Sequence, residues 1–248
     1  MDVDIGAFLR RIPPITRFML SISVGLAVLT TLRPEYSYYL YFSKDLFLRK
    51  HEIWRLFTGF FYFGKLSINL CINIYVFWNY SQQLELNSFY NKRADYLWCV
   101  FLSILMITTC ALFFPFSILL GNSLITTLLY IWARKNPFIH VQLFVVPMTA
   151  PYLPWAFALM STITNETIPT PDLIGIFCGH VYYYFSDVLP KVAKLRGWKK
   201  QEFITAPSFL SRLLGDDVAN DNIQEDEDAN IRQQEQLFEQ MERQNHED

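Results

Sequence analysis

The chain has 248 residues, 52% of them hydrophobic and only 18% charged, with 22 Phe, 14 Tyr, 6 Trp and a formal net charge of -2. Such a composition excludes disorder over the first two-thirds and argues for a polytopic all-α membrane protein rather than a soluble enzyme. Basic residues are not interleaved with aromatics on a polar face, which excludes a nucleic-acid partner.

Residues 1–14 form a short segment with an acidic start, then Arg10, Arg11 and the pair Pro13-Pro14. No cleavable signal pattern is present, so the first span is expected to anchor the chain uncleaved. Apolar segments at 15–32, 66–84, 96–114, 117–133, 141–161 and 172–190 predict a six-transmembrane-helix domain over residues 15–190. An even count places both termini on one side. That side carries Arg10, Arg11, Arg17, Lys92, Arg93, Arg134, Lys135 and the basic stretch from Lys191 to Lys200. The opposite side holds Arg33, Lys44, Arg49, Lys50 and Arg55, so the bias predicts cytosolic termini.

Between the first two spans, residues 33–65 are rich in Tyr and Phe beside Lys and Arg. This suits a luminal segment lying at the headgroup level, where rings are half buried and charges snorkel. Trp54 and Arg55 near its end are the expected loop anchor. In the second span Asn69 and Asn73 lie four residues apart and share one helical face. Asparagine in hydrocarbon needs a partner, so that face should look toward other helices or a polar cavity.

Ser123 follows Gly121 and Asn122 in the fourth span, and His180 lies in the sixth beside Gly175 and Gly179. The Gly-x-x-x-Gly spacing allows close helix approach, and Gly121 is a further packing position. A serine and a histidine shielded from water could be a nucleophile and its base, provided that they lie within hydrogen-bond reach with donors for an oxyanion. They could equally serve as hydrogen-bonding groups between helices, the serine bonding its own helix carbonyl. The four cysteines, Cys71, Cys99, Cys110 and Cys178, fall inside apolar runs without metal-ligand spacing, and no cofactor pattern is found. Asn165-Glu166-Thr167 is a glycosylation sequon close to the predicted luminal membrane surface.

After the last span, residues 191–215 combine a basic juxtamembrane patch suited to anionic lipid with an apolar set around Pro207, which predicts a short interfacial helix at 208–214. Residues 216–248 contain 12 acidic and two basic residues and are expected to be a disordered cytosolic tail.

Several short motifs occur in a telling order: Ile12-Pro13-Pro14 with Thr16-Arg17, Trp54-Arg55-Leu56 with Thr58, and Tyr130 to Trp132 with Arg134 and Asn136-Pro137. Tyr152-Leu153-Pro154-Trp155, Gly179-His180-Val181-Tyr182-Tyr183 and Thr205-Ala206-Pro207-Ser208-Phe209-Leu210 complete the series. Over residues 5–214 the chain resembles the derlins, members of the rhomboid-like superfamily. The resemblance implies a rhomboid-like fold in the endoplasmic-reticulum membrane and a non-catalytic role in retrotranslocation of misfolded proteins. It further implies a membrane ubiquitin-ligase complex and a p97-type ATPase as partners, with misfolded polypeptides engaged in a lateral opening and the bilayer locally distorted. A homo- or hetero-oligomer is compatible with that role.

Against the rhomboid protease pattern, Ser123 falls close to the nucleophile position and His180 close to the base position. Leu124 replaces a glycine, Tyr183 replaces another, and Asn69 stands where a histidine is expected. The pair is therefore read as a vestigial dyad, with Asn69, Asn73, Ser123 and His180 facing substrate or stabilising the helices. No glycine-rich, Phe-containing box follows Leu214, so contact with the ATPase is expected to be indirect. Two other readings stay open: an intramembrane serine protease using Ser123 and His180, and a scaffold of a ligase complex that handles no substrate.

Overall fold

The computed structural model describes residues 12–113, 120–143, 146–166, 168–198 and 204–214. The segments 1–11 and 216–248, and with them the expected N-terminal segment and acidic tail, lie outside the described residues.

Helix α1 (Pro14–Leu32) starts at a proline, whose missing N–H costs nothing in the first turn. It ends before Pro34, which disfavours helical backbone in the preceding residue. The 33–65 stretch then folds as a short 3₁₀ turn and three short helices: α2 (Ser37–Leu40), α3 (Lys44–Lys50) and α4 (Trp54–Phe61). His51, at φ 57°, closes α3 in the left-handed region, and Gly64, at φ 108°, turns the chain from α4 into α5. Ser67 caps α5 (Ile68–Gln83) by accepting the Leu70 N–H at 3.2 Å.

Helix α5 continues as a π-helical turn, Leu84–Ser88, and is followed by α6 (Arg93–Phe113) and α7 (Leu120–Lys135). Every residue of α7 from Leu120 to Ala133 is buried, and α4, α5, α6, α8 and α9 all pack against it. A helix buried all round is the centre of a bundle rather than one of its walls.

The fifth apolar segment departs from expectation. In place of one helix over 141–161, the chain forms an antiparallel hairpin, β1 (His140–Leu143) and β2 (Val146–Thr149), then a 3₁₀ turn and α8 (Leu153–Asn165). Pro147, Pro151 and Pro154 explain this: each lacks an N–H and would clash with the carbonyl four residues back, so no helix runs through until Pro154, which sits in the first turn of α8. The fold is thus all-α apart from this hairpin, among the described residues.

Helix α9 (Thr170–Tyr183) passes through a second π-helical turn, Tyr184–Val188, into α10 (Leu189–Leu195). The wide turn sits just ahead of Pro190, where the ring would crowd the preceding turn of an α-helix. Gly197, at φ 67°, ends α10: Trp198 donates to the Ala193 carbonyl and Gly197 to that of Lys194. Helix α11 (Ser208–Leu214) packs on α6, and Asp95 of α6 accepts the Ala206 N–H at 3.0 Å.

Six helices among the described residues thus reach 13 residues or more. Among the described residues, α1 and α6 meet the length and apolarity needed to cross a bilayer.

Candidate functional site

A row of polar side chains runs along the buried part of α7: Asn122, Ser123, Thr126 and Thr127. A buried hydroxyl or amide without a partner is costly, so each must find one. Asn122 accepts from Asn73 Nδ2 of α5 at 3.3 Å. The other three bond toward α9. Ser123 Oγ donates to the Pro171 carbonyl at 2.8 Å, and Thr126 Oγ1 donates to Asp172 Oδ1 at 2.7 Å. Thr127 Oγ1 lies 2.8 Å from the Ser123 carbonyl and 3.0 Å from that of Gly175.

Farther along the same seam the Tyr130 hydroxyl meets His180 Nδ1 at 2.8 Å, and Lys135 Nζ bonds Asp187 at 2.8 Å. The two helices are therefore laced from end to end. Glycine makes the lacing possible: a Cβ at Gly175 would stand 2.6 Å from the Ser123 carbonyl oxygen, and one at Gly179 would stand 2.9 Å from Tyr130 Cβ. Gly121 faces the other way, where a Cβ would meet the Phe63 ring at 2.6 Å and the Phe60 carbonyl at 3.0 Å.

Ser123 and His180 are separate rungs of this ladder. Ser123, fully buried, is level with Pro171 and Asp172, and nine residues of helix, about 13 Å of rise, separate Pro171 from His180. His180 is also exposed on the helix surface, not shielded as expected, and its Nδ1 is occupied by Tyr130. The serine hydroxyl bonds neither its own helix nor a base but a carbonyl of the neighbouring helix. That is a structural bond; proton abstraction needs a base within reach.

Asn69, one turn before Asn73, is half-buried and takes no part in the Asn73–Asn122 bond. In the aromatic segment, Arg55 is 1% exposed and gathers the chain around itself. Its Nε pairs with Glu52, its Nη1 donates to the Tyr38 carbonyl and, at 3.1 Å, to that of Tyr41, and its guanidinium lies over the Tyr38 and Tyr39 rings. Trp54 points outward and is 56% exposed.

Between α5 and α8, both packed on α7, lies a groove of about 520 Å³. Ile72, Tyr75 and Asn79 of α5, Leu153 and Phe157 of α8, Leu129 of α7 and Val141 and Gln142 of the hairpin line it. Among the described residues no group of three metal-capable side chains is found.

Residues 12–207 match the Der1-like family, a span that covers this site and both π-helical turns. The chain belongs to the Der1-like family. It is 33% identical to Derlin-2.1 of Zea mays over 84% of this chain and 85% of that protein. It is 34% identical to Derlin-1 of Arabidopsis thaliana (84% and 77% covered) and 33% identical to the probable derlin-2 homolog of Dictyostelium discoideum (78% and 74%). The derlin family places it among the rhomboid-like pseudoproteases, as a membrane-associated, non-enzymatic component of endoplasmic-reticulum-associated degradation.

Sequence reasoning missed several groups of this derlin site. Asp172, at the predicted start of the sixth span, is buried and bonded to Thr126. Thr126 and Thr127 share the spacing of three and four residues from Ser123 that marks one helix face, and that spacing was the available signal. Glu85, Ser81 and Tyr96 were also missed. Glu85 accepts the backbone N–H of Ile15 at 3.1 Å and of Thr16 at 2.8 Å, so it caps α1 from 69 residues away. Thr16 Oγ1 also reaches Glu85 at 2.7 Å and Ser81 at 3.0 Å, and Ser81 in turn bonds Tyr96. No local pattern announces a cap drawn from another helix. Two of the four cysteines, Cys110 and Cys178, stand 3.9 Å apart across α6 and α9 as free thiols.

Proposed function

We propose that the protein is a six-span endoplasmic-reticulum membrane protein with cytosolic termini, which receives misfolded luminal or membrane polypeptides in the groove between α5 and α8 and helps pass them to the cytosol. The groove carries this reading. It is lined mainly by apolar and aromatic side chains and includes only Asn79 and Gln142 as amides. A polypeptide leaving lipid or lumen needs such a surface, apolar enough for side chains and with a few polar groups for exposed backbone.

Helix α8 is 13 residues long, about 20 Å, well short of a ~30 Å hydrocarbon core. A short wall favours local thinning of the bilayer, which lowers the cost of moving polar chain through it. Arg55 shapes the luminal segment, with Trp54 exposed at its surface, while Asn69, Asn73, Ser123 and His180 stabilise the helices around the groove. The partners in this scheme are a membrane ubiquitin-ligase complex, membrane lipid and, indirectly, a p97-type ATPase.

Photocrosslinkers placed at Tyr75 and Phe157 should capture a stalled degradation substrate, while one at Leu105, exposed on α6, should not. Equal capture at all three positions would remove the groove from the pathway. Unchanged turnover of misfolded luminal and membrane reporters after deletion of the gene would remove the role itself.

A further inference from the structure

At the end of the bundle where α7 finishes lies a second cavity of about 570 Å³, unused by the function above. Asn87 and Ser88 of the first π-helical turn, Arg134 and Lys135 in the last turn of α7 with Asn136 to Phe138 after it, and Tyr183, Asp187 and Lys191 along α9, the second π-helical turn and α10 line it. Three cations face one carboxylate, and that carboxylate is already neutralised: Asp187 pairs with Lys135 at 2.8 Å and accepts from Ser186. Arg134 and Lys191 have no carboxylate partner among the described residues.

Arg134 is held in place. Its Nε donates to the Tyr130 hydroxyl at 3.0 Å and its guanidinium stands 5.3 Å from the Tyr130 ring centre, which leaves both terminal nitrogens for another acceptor. A planar, pre-set guanidinium suits two oxygens of one phosphate. Lys191, one helical turn beyond Asp187, adds a mobile charge. Phe138 on the rim is 88% exposed, an apolar group that an inorganic anion would not use and a glycerol or acyl chain would.

We propose that Arg134 and Lys191 form a discrete headgroup site for an anionic phospholipid, the phosphate on Arg134 and the chains against Phe138. The inference uses the proposed orientation only in placing this lipid in the cytosolic leaflet. Its test needs neither orientation nor substrate transport.

Native mass spectrometry of the full chain in detergent, with added phosphatidylinositol or phosphatidylcholine, provides that test. One phosphatidylinositol should be retained in preference to phosphatidylcholine. Arg134→Gln with Lys191→Gln should lower retention about tenfold or more, since each basic group near a membrane surface is worth on the order of 1 kcal/mol. Lys194→Gln and Arg212→Gln, which remove exposed charge outside the cavity, should leave it unchanged. An equal loss in every variant would reduce the effect to diffuse attraction and overturn the proposal. Displacement of the lipid by inorganic phosphate alone would assign the cavity to a soluble ligand and overturn it as well. Should the double variant fail to fold, Lys191→Gln, whose side chain is exposed, carries the comparison.

Discussion

Thr126 of α7 donates its hydroxyl to Asp172 of α9 at 2.7 Å, one turn along from the serine that resembles a protease nucleophile. What α9 brings to the level of that serine is therefore the Pro171 carbonyl and a carboxyl already engaged by a threonine, and the histidine lies two turns farther on. This pairing fixes the helices rather than preparing a reaction.

The first prediction concerns that pair. Thr126→Val should destabilise the detergent-solubilised protein by about 1–3 kcal/mol, because it strips a buried carboxyl of a donor. The double variant Thr126→Val with Asp172→Leu should recover part of that loss, and a double-mutant cycle by denaturant unfolding would measure the coupling. Additive effects would show that the two side chains act separately.

The glycine seam predicts a sharp positional contrast. Gly175→Ala and Gly179→Ala force a methyl against backbone or Cβ atoms at 2.6 and 2.9 Å and should cost about 1–3 kcal/mol or more, while Gly25→Ala, with nothing within 4 Å, should cost nothing comparable. Melting temperatures of the three proteins make the comparison, and larger side chains at 175 should abolish folding.

Glu85 predicts a long-range effect on α1. Glu85→Ala leaves the N–H groups of Ile15 and Thr16 without their acceptor and removes a negative charge from a helix N-terminus, a loss of about 2 kcal/mol. Hydrogen exchange should rise in the first turn of α1, which is distant in sequence from the substitution. Unchanged protection there would mean that another group caps the helix.

Arg55→Lys keeps the charge but cannot reach Glu52 and two carbonyls in the same geometry. Limited proteolysis should open the 33–62 segment in this variant, and client turnover should fall with it. Trp54→Ala should leave the protease pattern unchanged, because Trp54 is exposed and holds nothing in that segment.

Much of the helix order was legible because apolar runs and their boundaries are local. Pro14, Ser67 and Gly197 act within a few residues of themselves, and the helix at Ser208–Leu214 follows from Pro207 and its apolar set. The hairpin at 140–149 was not legible, since an apolar run of that length reads equally as helix until the spacing of its prolines is weighed. At the site, the close approach at Gly175 and Gly179 could be read from spacing. The partners of Ser123 and His180 could not, because α7 and α9 meet through a rotation and offset that tertiary packing alone determines. Glu85 illustrates the same limit: its carboxylate completes a helix whose own sequence contains no side-chain cap.

The shortness of α8 has a further consequence in membrane economy across the cell. In the proposed six-span topology, a helix of about 20 Å is mismatched by roughly 7 Å in an endoplasmic-reticulum bilayer of ~27 Å and by roughly 12 Å in a plasma membrane of ~32 Å. With a cost of a fraction of a kcal/mol per ångström, the difference favours the thinner membrane. On that topology bilayer thickness acts as an address: the same wall that shapes the groove biases the protein against export.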